Sequence, residues 1–462
     1  MKKKLYPLTA SQLIHYRWIK QYHTQQVAGI SVVASLQIQL DFELLQKCIR
    51  MEIERCECLR VRFTKPDSKG SISQYIVNSD DRDIPFVDLS NMSMNKADEI
   101  MQKWAYETLD LTDSPMFTVT MLKLPDNYYG FFLHVDHRLL DSAGIIIMMN
   151  DLMELYCHYS FNTPFPDAPA SYTETLEQDI RRATTPHRFN DDKNFWDNLL
   201  DKYGEPLYSD IQGKEVLENS RKKHHNDTLR SADIEMDNLK VAVKDFYLET
   251  DSSNRLIDFC KNNKISMTNL LLLGLRTYLS KVNDRQEDIT IENFVSRRVT
   301  PKQWTSGSSR TMMFPCRTVI PSSTSFINAA NIVQDMQNHV YMHCNYDPAL
   351  IQEEIQKRYH TPDNTTYESV YLTYQPLPSK AMNPIIASIP QHSIWFANGA
   401  ATKKLYLTVS HTGSGEMQFS FHYQVAHLND HDMELVYYYL MRILFAGISS
   451  PEKEVDEIIS EV

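Results

Sequence analysis

Glycine is scarce in this chain, and its scarcity excludes several common folds. Only 12 of the 462 residues are glycine. No two glycines lie four positions apart, so the G-x-S-x-G turn of α/β-hydrolases is absent. No pair has the spacing of a P-loop, and Gly413 and Gly415 lack the third glycine of a dinucleotide-binding fingerprint. We therefore expect neither that class of serine hydrolase, nor a P-loop nucleoside triphosphatase, nor a Rossmann dehydrogenase.

Helical and strand periods alternate along the whole chain, which predicts a mixed α/β fold of the α+β sandwich type. The predicted elements include a helix capped by Thr9, a strand over 32–40, a helix over 42–58 and a strand over 128–135. Between residues 164 and 245 proline and charge dominate, which favours a crossing between domains. We predict two halves, residues 1–180 and 181–462, each with a sheet and helices packed on it.

Charge and cysteine content restrict the partners and the compartment. The formal net charge is −12, whereas a nucleic-acid-binding surface has to be cationic, so we expect no nucleic acid partner. Seven scattered cysteines without a C-x-x-C pattern predict reduced thiols. No apolar stretch approaches the about 20 residues that span a bilayer, and the basic start lacks the apolar core of a signal peptide. The expectation is a cytoplasmic monomer without a membrane partner.

The stretch 128–156 contains the residues most indicative of chemistry. A buried strand over 128–135 is followed by Asp141 and Ser142, both good N-caps, and then by apolar residues at helical spacing. His137 lies between strand and helix, on a turn held at both ends, where folds commonly place reactive groups. A neutral imidazole there can accept a proton from an attacking amine or hydroxyl, and the carboxylate of Asp141 can brace the turn.

Other interpretations of the histidines stay open. A His-x-x-x-Asp spacing also arises by chance, so a purely structural pair is an alternative. His134, His137 and Asp141 could bind a metal, although strand and turn spacing makes convergence of all three difficult. His339 and His343 are one helical turn apart but lack the glutamate of the zinc pattern, which favours a polar helix face. We expect no metal and no bound cofactor.

Several motifs resemble those of the condensation domains of nonribosomal peptide synthetases, which belong to the chloramphenicol acetyltransferase-like superfamily. The string DHRLLDS at 136–142 resembles the family signature HHxxxDG. It matches at His137 and Asp141 and departs at Asp136 and Ser142. Four further blocks resemble family motifs and occur in the family's order: YPLTASQ at 6–12, RCECLRVRF at 55–63, FW at 195–196 and VSRR at 295–298. In the last of these blocks, Arg298 lies at the position of a family arginine. The block MMFPCRTVI at 312–320 departs strongly from the family pattern, and HCNYDP at 343–348 is only loosely similar.

The resemblance implies two chloramphenicol acetyltransferase-like lobes that form a V with a tunnel between them. It implies an acyltransferase that joins an acyl or peptidyl thioester, presented on the phosphopantetheine of a carrier protein, to an amine or hydroxyl acceptor. His137 would position or deprotonate the nucleophile, and Asp141 would be mostly structural, paired with Arg298. The partners would be acyl or peptidyl carrier proteins or a synthetase, and the length of the resemblance suggests a free-standing protein.

Two details of the site follow from helix and strand geometry. The backbone N–H groups of Ser142–Gly144, at the helix start, are candidate donors to the oxyanion of the tetrahedral intermediate. Asp136 would favour the imidazolium form of His137 and weaken a base if its carboxylate pointed inward. It would have little effect if strand alternation pointed it into the sheet.

Three functions remain open on the sequence alone. The first is carrier-dependent condensation with an amine. The second is O- or N-acyl transfer from a diffusible acyl thioester by the same fold. The third is a catalytically silent module that recruits partner enzymes, which the departures at Asp136, Ser142 and 312–320 motivate.

Overall fold

The helices begin at the capping residues that the sequence supplies. The computed structural model describes residues 3–109, 112–376 and 383–462. Thr9 caps the first helix in a reciprocal box with Gln12, as predicted, and Asp41 accepts the N–H groups of Glu43 and Leu44 at the start of the second. The helices of the described residues are Ala10–Tyr22 (α1), Phe42–Arg55 (α2), Met94–Trp104 (α3), Ser142–Phe161 (α4), Tyr172–Ala183 (α5), Pro186–Tyr203 (α6), Glu215–His224 (α7), Thr250–Asn263 (α8), Met267–Val282 (α9), Pro301–Thr305 (α10), Phe326–Met342 (α11), Pro348–Tyr359 (α12), Pro384–Ala387 (α13), Asp430–Ser449 (α14) and Val455–Glu461 (α15).

The strands agree with the predicted ones to within a few residues where both exist. The strand predicted over 32–40 runs from Gly29 to Leu36, and the one predicted over 128–135 runs from Tyr129 to Asp136. The strands of the described residues are Tyr6–Pro7 (β1), Gly29–Leu36 (β2), Val61–Phe63 (β3), Ser73–Ile76 (β4), Phe86–Asp88 (β5), Phe117–Lys123 (β6), Tyr129–Asp136 (β7), Ala232–Asp233 (β8), Val241–Leu248 (β9), Asp288–Val295 (β10), Met312–Val319 (β11), Thr365–Thr366 (β12), Val370–Gln375 (β13), Gln391–Phe396 (β14), Leu405–His411 (β15) and Met417–Gln424 (β16).

The first of two compact units contains the described residues within Met1–Thr185, Ser296–Thr311 and Pro378–Ala400. Its main sheet has the strand order β14-β2-β7-β6-β5, and a small sheet has the order β1-β4-β3. The predicted division at residue 180 assigned the two later segments, 296–311 and 378–400, to the other half of the chain. They belong to this unit because β14 pairs with the edge of β2 and because 296–311 packs around the start of α4.

The second unit contains the described residues within Pro186–Val295, Met312–Leu377 and Ala401–Val462. Its sheet has the order β11-β10-β13-β15-β16-β9, and α8, α9, α11, α14 and α15 bury one face of it. The region 164–245 is richer in structure than its composition indicated. It contains α5, α6, α7 and the first half of β9. The charged residues Lys244 and Asp245 suit an edge strand, but they interrupt the apolar pattern from which a strand is predicted.

Neither membrane crossing nor disulfide bonding contributes to the described structure. Each helix of the described residues is too short or too polar to cross a bilayer. All seven cysteines are free thiols in buried positions. Cys56 and Cys58 have their sulfur atoms 3.3 Å apart, a thiol contact rather than a covalent bond.

One carboxyl group in the first unit is buried with another carboxylate as its nearest charged neighbour. Glu52 of α2 is 2% exposed, and neither of its carboxyl oxygens has a hydrogen-bond partner of ordinary geometry. Its neighbours are apolar side chains of α2, β6, β7 and α4. Burial raises the pKa of Glu52 well above its ordinary value, and the nearby carboxylate of Asp151 raises that pKa further. The folded protein therefore keeps this carboxyl protonated where the unfolded chain has released the proton.

We expect Glu52→Met to increase the free energy of unfolding by about 1–3 kcal/mol at neutral pH, since it removes a buried polar group whose charged form the burial disfavours. A raised folded-state pKa lowers stability as the pH rises above the unfolded value of about 4.3. The advantage of the variant should therefore grow between about pH 4 and pH 7, measured by urea unfolding. The exposed Glu54 on the same helix gives the control: Glu54→Met should change stability by less than about 0.5 kcal/mol. A gain that is independent of pH would contradict the assignment.

Candidate active site

The turn that carries His137 is fixed at both ends by hydrogen bonds. The His137 N–H donates to the Ala28 carbonyl oxygen at 2.6 Å, and the Leu139 N–H donates to the carbonyl oxygen of Asp136 at 2.8 Å. At the other end, Oδ1 of Asp141 accepts the Gly144 N–H at 2.7 Å and caps α4. The predicted sequence of strand, turn and capped helix is present, and it places a half-buried His137 on a rigid loop.

The imidazole of His137 lies against a second imidazole. The ring of His15, in α1, stacks on it with a centroid separation of 4.1 Å and an interplanar angle of 23°. His15 is 7% exposed, and Trp18 packs edge-on against it. No motif in the sequence marks His15. The only signal is the capped start at Thr9, which fixes where α1 begins but not what it contacts.

The negative charge of Asp136, which departs from the family signature, is compensated by Arg138, two residues later. Its Oδ1 accepts the N–H of Arg138 at 2.9 Å and the side-chain Nε–H at 2.8 Å, and its Oδ2 accepts Nη2–H at 3.1 Å. Both side chains are 3% exposed. Its charge is therefore compensated by the Arg138 guanidinium, which removes the main reason to expect a weakened base at His137.

Asp141 is the most heavily hydrogen-bonded group of the site. Arg298 forms a two-pronged ion pair with it, Nη2 to Oδ1 at 2.7 Å and Nη1 to Oδ2 at 2.9 Å, so the pairing expected from the resemblance is present. Oδ2 also accepts the N–H groups of Arg310 and Thr311 and the Thr311 hydroxyl, at 2.8–2.9 Å. Burial alone would raise the pKa of Asp141, but Arg298 and the N–H donors prevail and hold it well below its usual range. Asp141 is therefore a buried anion at neutral pH.

The segment 296–311 packs directly on the start of α4. A Cβ atom on Gly144 would lie 2.7 Å from the carbonyl oxygen of Ser308, so only glycine fits at this position. That same carbonyl accepts Nη2–H of Arg298 at 2.7 Å. The Gly144 N–H is already donated to Asp141, so the part of the oxyanion-donor prediction that included Gly144 is not supported by the geometry.

The structure does not assemble the histidine-based metal sites that the sequence left open. Nδ1 of His134 is 2.7 Å from the Ser31 hydroxyl, and burial lowers the pKa of His134. The Asp141 oxygens are occupied by donors, and the described residues contain no cluster of three metal-ligating side chains. His343 pairs with Asp192 at 2.9 Å and stacks on Phe195, which fits the polar helix face.

Comparison with known proteins identifies the class. The family model for the condensation domain matches residues 2–461. One of the subunits of plipastatin synthase from Bacillus subtilis (strain 168) is 19% identical over 465 residues, which covers 99% of this chain and 17% of that protein. The first condensation domain of the calcium-dependent antibiotic synthetase, in complex with a substrate analogue, superimposes with a TM-score of 0.78 at 15% identity and covers 98% and 99% of the two chains. The starter condensation domain of rhizomide synthetase, in complex with C8-CoA, gives a TM-score of 0.79 at 16% identity over 98% and 97%.

The family match spans nearly the whole chain, and the solved condensation domains share its fold, as the resemblance predicted. This chain belongs to the condensation domain family. It spans less than a fifth of the length of the plipastatin synthase polypeptide that it matches.

Proposed function

We propose that this protein joins an acyl or peptidyl group, held as a thioester on a carrier protein, to an amine. The observation that supports this proposal is the state of the turn around His137. Both carboxylates that flank the imidazole in sequence, Asp136 and Asp141, are paired with buried arginines. The turn therefore keeps its geometry and local charge balance although two of its signature residues differ from the family pattern.

In the proposed reaction the amine nitrogen attacks the thioester carbonyl carbon, and a C–N bond forms. The C–S bond then breaks, and the thiol of the carrier leaves. His137 takes the proton that the amine nitrogen loses and can pass it to the departing thiolate. Nδ1 of His137 is buried, so we assign this transfer to Nε2. The thioester already carries the activation, so holding the two substrates together supplies much of the rate.

The oxyanion of the tetrahedral intermediate needs donors near the same turn. Of the predicted set, the amides of Ser142 and Ala143 at the start of α4 remain, since Gly144 caps Asp141. The N-terminal end of a 20-residue helix also offers a partial positive charge there. Ser142 in place of glycine keeps the backbone N–H that this role requires, because the side chain does not alter the amide.

The carrier must come from another polypeptide or from a further part of the same protein, because the condensation domain match spans residues 2–461. A carrier-bound donor and a small amine acceptor are the substrates that we propose.

A second candidate is acyl transfer from a diffusible thioester. The observation that favours it is the similarity to a starter domain solved with C8-CoA. Coenzyme A and a carrier present the acyl group on the same phosphopantetheine arm, so one site can accept both.

The experiment that tests the proposal incubates the purified protein with an amine and either an acyl-loaded carrier or the matching acyl-CoA. Product is quantified by mass spectrometry. Amide formed faster from the carrier supports the first candidate, and equal or faster formation from acyl-CoA supports the second. Tight carrier binding without product from either thioester would refute both and favour the recruiting module.

A further inference from the structure

The contact between His15 and His137 is a feature of the site that neither the motif nor the ion pairs explain. The two rings are nearly parallel at a centroid separation of 4.1 Å, a face-to-face arrangement. Trp18 meets His15 at a centroid separation of 5.1 Å and an interplanar angle of 87°, so His15 is itself in contact with a second ring. The contact therefore restrains the plane of the His137 ring without engaging its nitrogen edge.

Three sets of hydrogen bonds hold the first turn of the helix that carries His15, so the position of the His15 ring is well defined. Thr9 and Gln12 form the capping box at its start. The side-chain amides of Gln12 and Gln74 bond to each other reciprocally at 3.0 and 2.8 Å. The hydroxyl of Ser11 donates to the carbonyl oxygen of Ser309 at 2.7 Å, which ties α1 to the segment that surrounds Asp141. Such support is what a precisely placed side chain requires.

We propose that His15 is a positioning residue that fixes the plane of the His137 imidazole by stacking on its face. The inference rests on the proposed function, because it assigns to His137 the proton transfer described above. Backbone bonds fix the Cα of His137, but its ring can still rotate about the side-chain bonds. The flat ring of His15 against one face of the His137 imidazole restricts that rotation. The restriction matters because a misplacement of the proton acceptor by about 1 Å can lower the reaction rate by up to about 10²-fold.

The test compares His15→Phe, which keeps a flat ring, with His15→Leu, which fills a similar space without one. With the full-length protein, we expect His15→Leu to lower kcat by up to about 10²-fold with little change in KM, since the proposed role of His15 acts through the ring of His137. His15→Phe should recover most of the loss. His187→Leu, at a largely exposed histidine, is the matched control and should leave kcat unchanged.

A second readout does not depend on activity. The stacked ring of His15 should shift the ring-proton NMR signals of His137 upfield, and His137→Gln identifies those signals by their loss. We expect the upfield shift to persist in His15→Phe and to disappear in His15→Leu. Identical shifts in all three proteins, or equal kcat in the Phe and Leu variants, would overturn the positioning role. A wild-type protein that shows the shift pattern but forms no amide would instead count against the proposed function alone.

Discussion

His137→Gln is expected to lower turnover by about 10²- to 10⁴-fold, the usual contribution of a positioned proton acceptor. Glutamine can occupy the turn and form hydrogen bonds but cannot take a proton from the attacking amine. Initial rates with saturating thioester and amine measure the effect. His187→Gln, at a largely exposed position, serves as the control and should match wild type.

The pH dependence of the remaining activity adds a second criterion. If His137 accepts the proton, activity of His137→Gln should lose the rise with pH that the imidazole imposes on wild type. Unchanged turnover in His137→Gln would contradict its role as the base and leave proximity of the two substrates as the source of the rate.

Asp141→Asn is expected to lower the free energy of unfolding by about 3–5 kcal/mol, because it leaves the buried guanidinium of Arg298 without its counter-ion. The pair is almost completely inaccessible to solvent, with exposed fractions of 1% and 0%. Lys302 and Glu174 form an ion pair in the same unit with both side chains 57% exposed, and Lys302→Met should cost less than about 1 kcal/mol. Urea unfolding of both variants measures the difference.

The double variant separates the ion pair from its surroundings. The double variant Asp141→Asn/Arg298→Met should lose less free energy of unfolding than the two single variants lose together, because either change alone already breaks the pair. Strict additivity would contradict a direct coupling between the two charges.

Acid titration gives an independent check on Asp141. Its folded-state pKa is depressed, so its contribution to stability is complete above the unfolded value of about 3.9. That contribution is lost as the pH falls from there through the folded-state pKa. Wild type should therefore lose more stability than Asp141→Asn between about pH 4 and pH 2, and parallel curves would contradict the assignment.

Local features of the site could be predicted from the sequence because they depend on residues close together in the chain. The period of 128–135, the capping residue Asp141 and the helical spacing after it specify a strand, a turn and a helix, and all three are present. The motif order also directed attention to Arg298, although it lies 157 residues from Asp141.

The features that could not be predicted from the sequence depend on contacts that no periodicity in the sequence encodes. β14 belongs to the first sheet only because it pairs with β2, and its neighbours in sequence gave no indication of that. His15 reaches His137 through the packing of α1, which a helical pattern does not specify. The pairing of Asp136 with Arg138 is short in range, but a motif comparison counts Asp136 as a mismatch and Arg138 as a variable position, and it does not consider that one neutralises the other.

The connection of Asp141 to residues 298–311 constrains the order of events during synthesis. When Asp141 leaves the ribosome, its partners are still about 160 residues away, which corresponds to roughly 10–30 s of translation. Until then the nascent first unit holds an anion with no buried counter-charge, and its sheet still lacks β14, which is made later again. A fragment that ends near residue 185 should therefore be prone to aggregation and to capture by chaperones, since the last piece of this unit, which contains β14, is translated after most of the other unit.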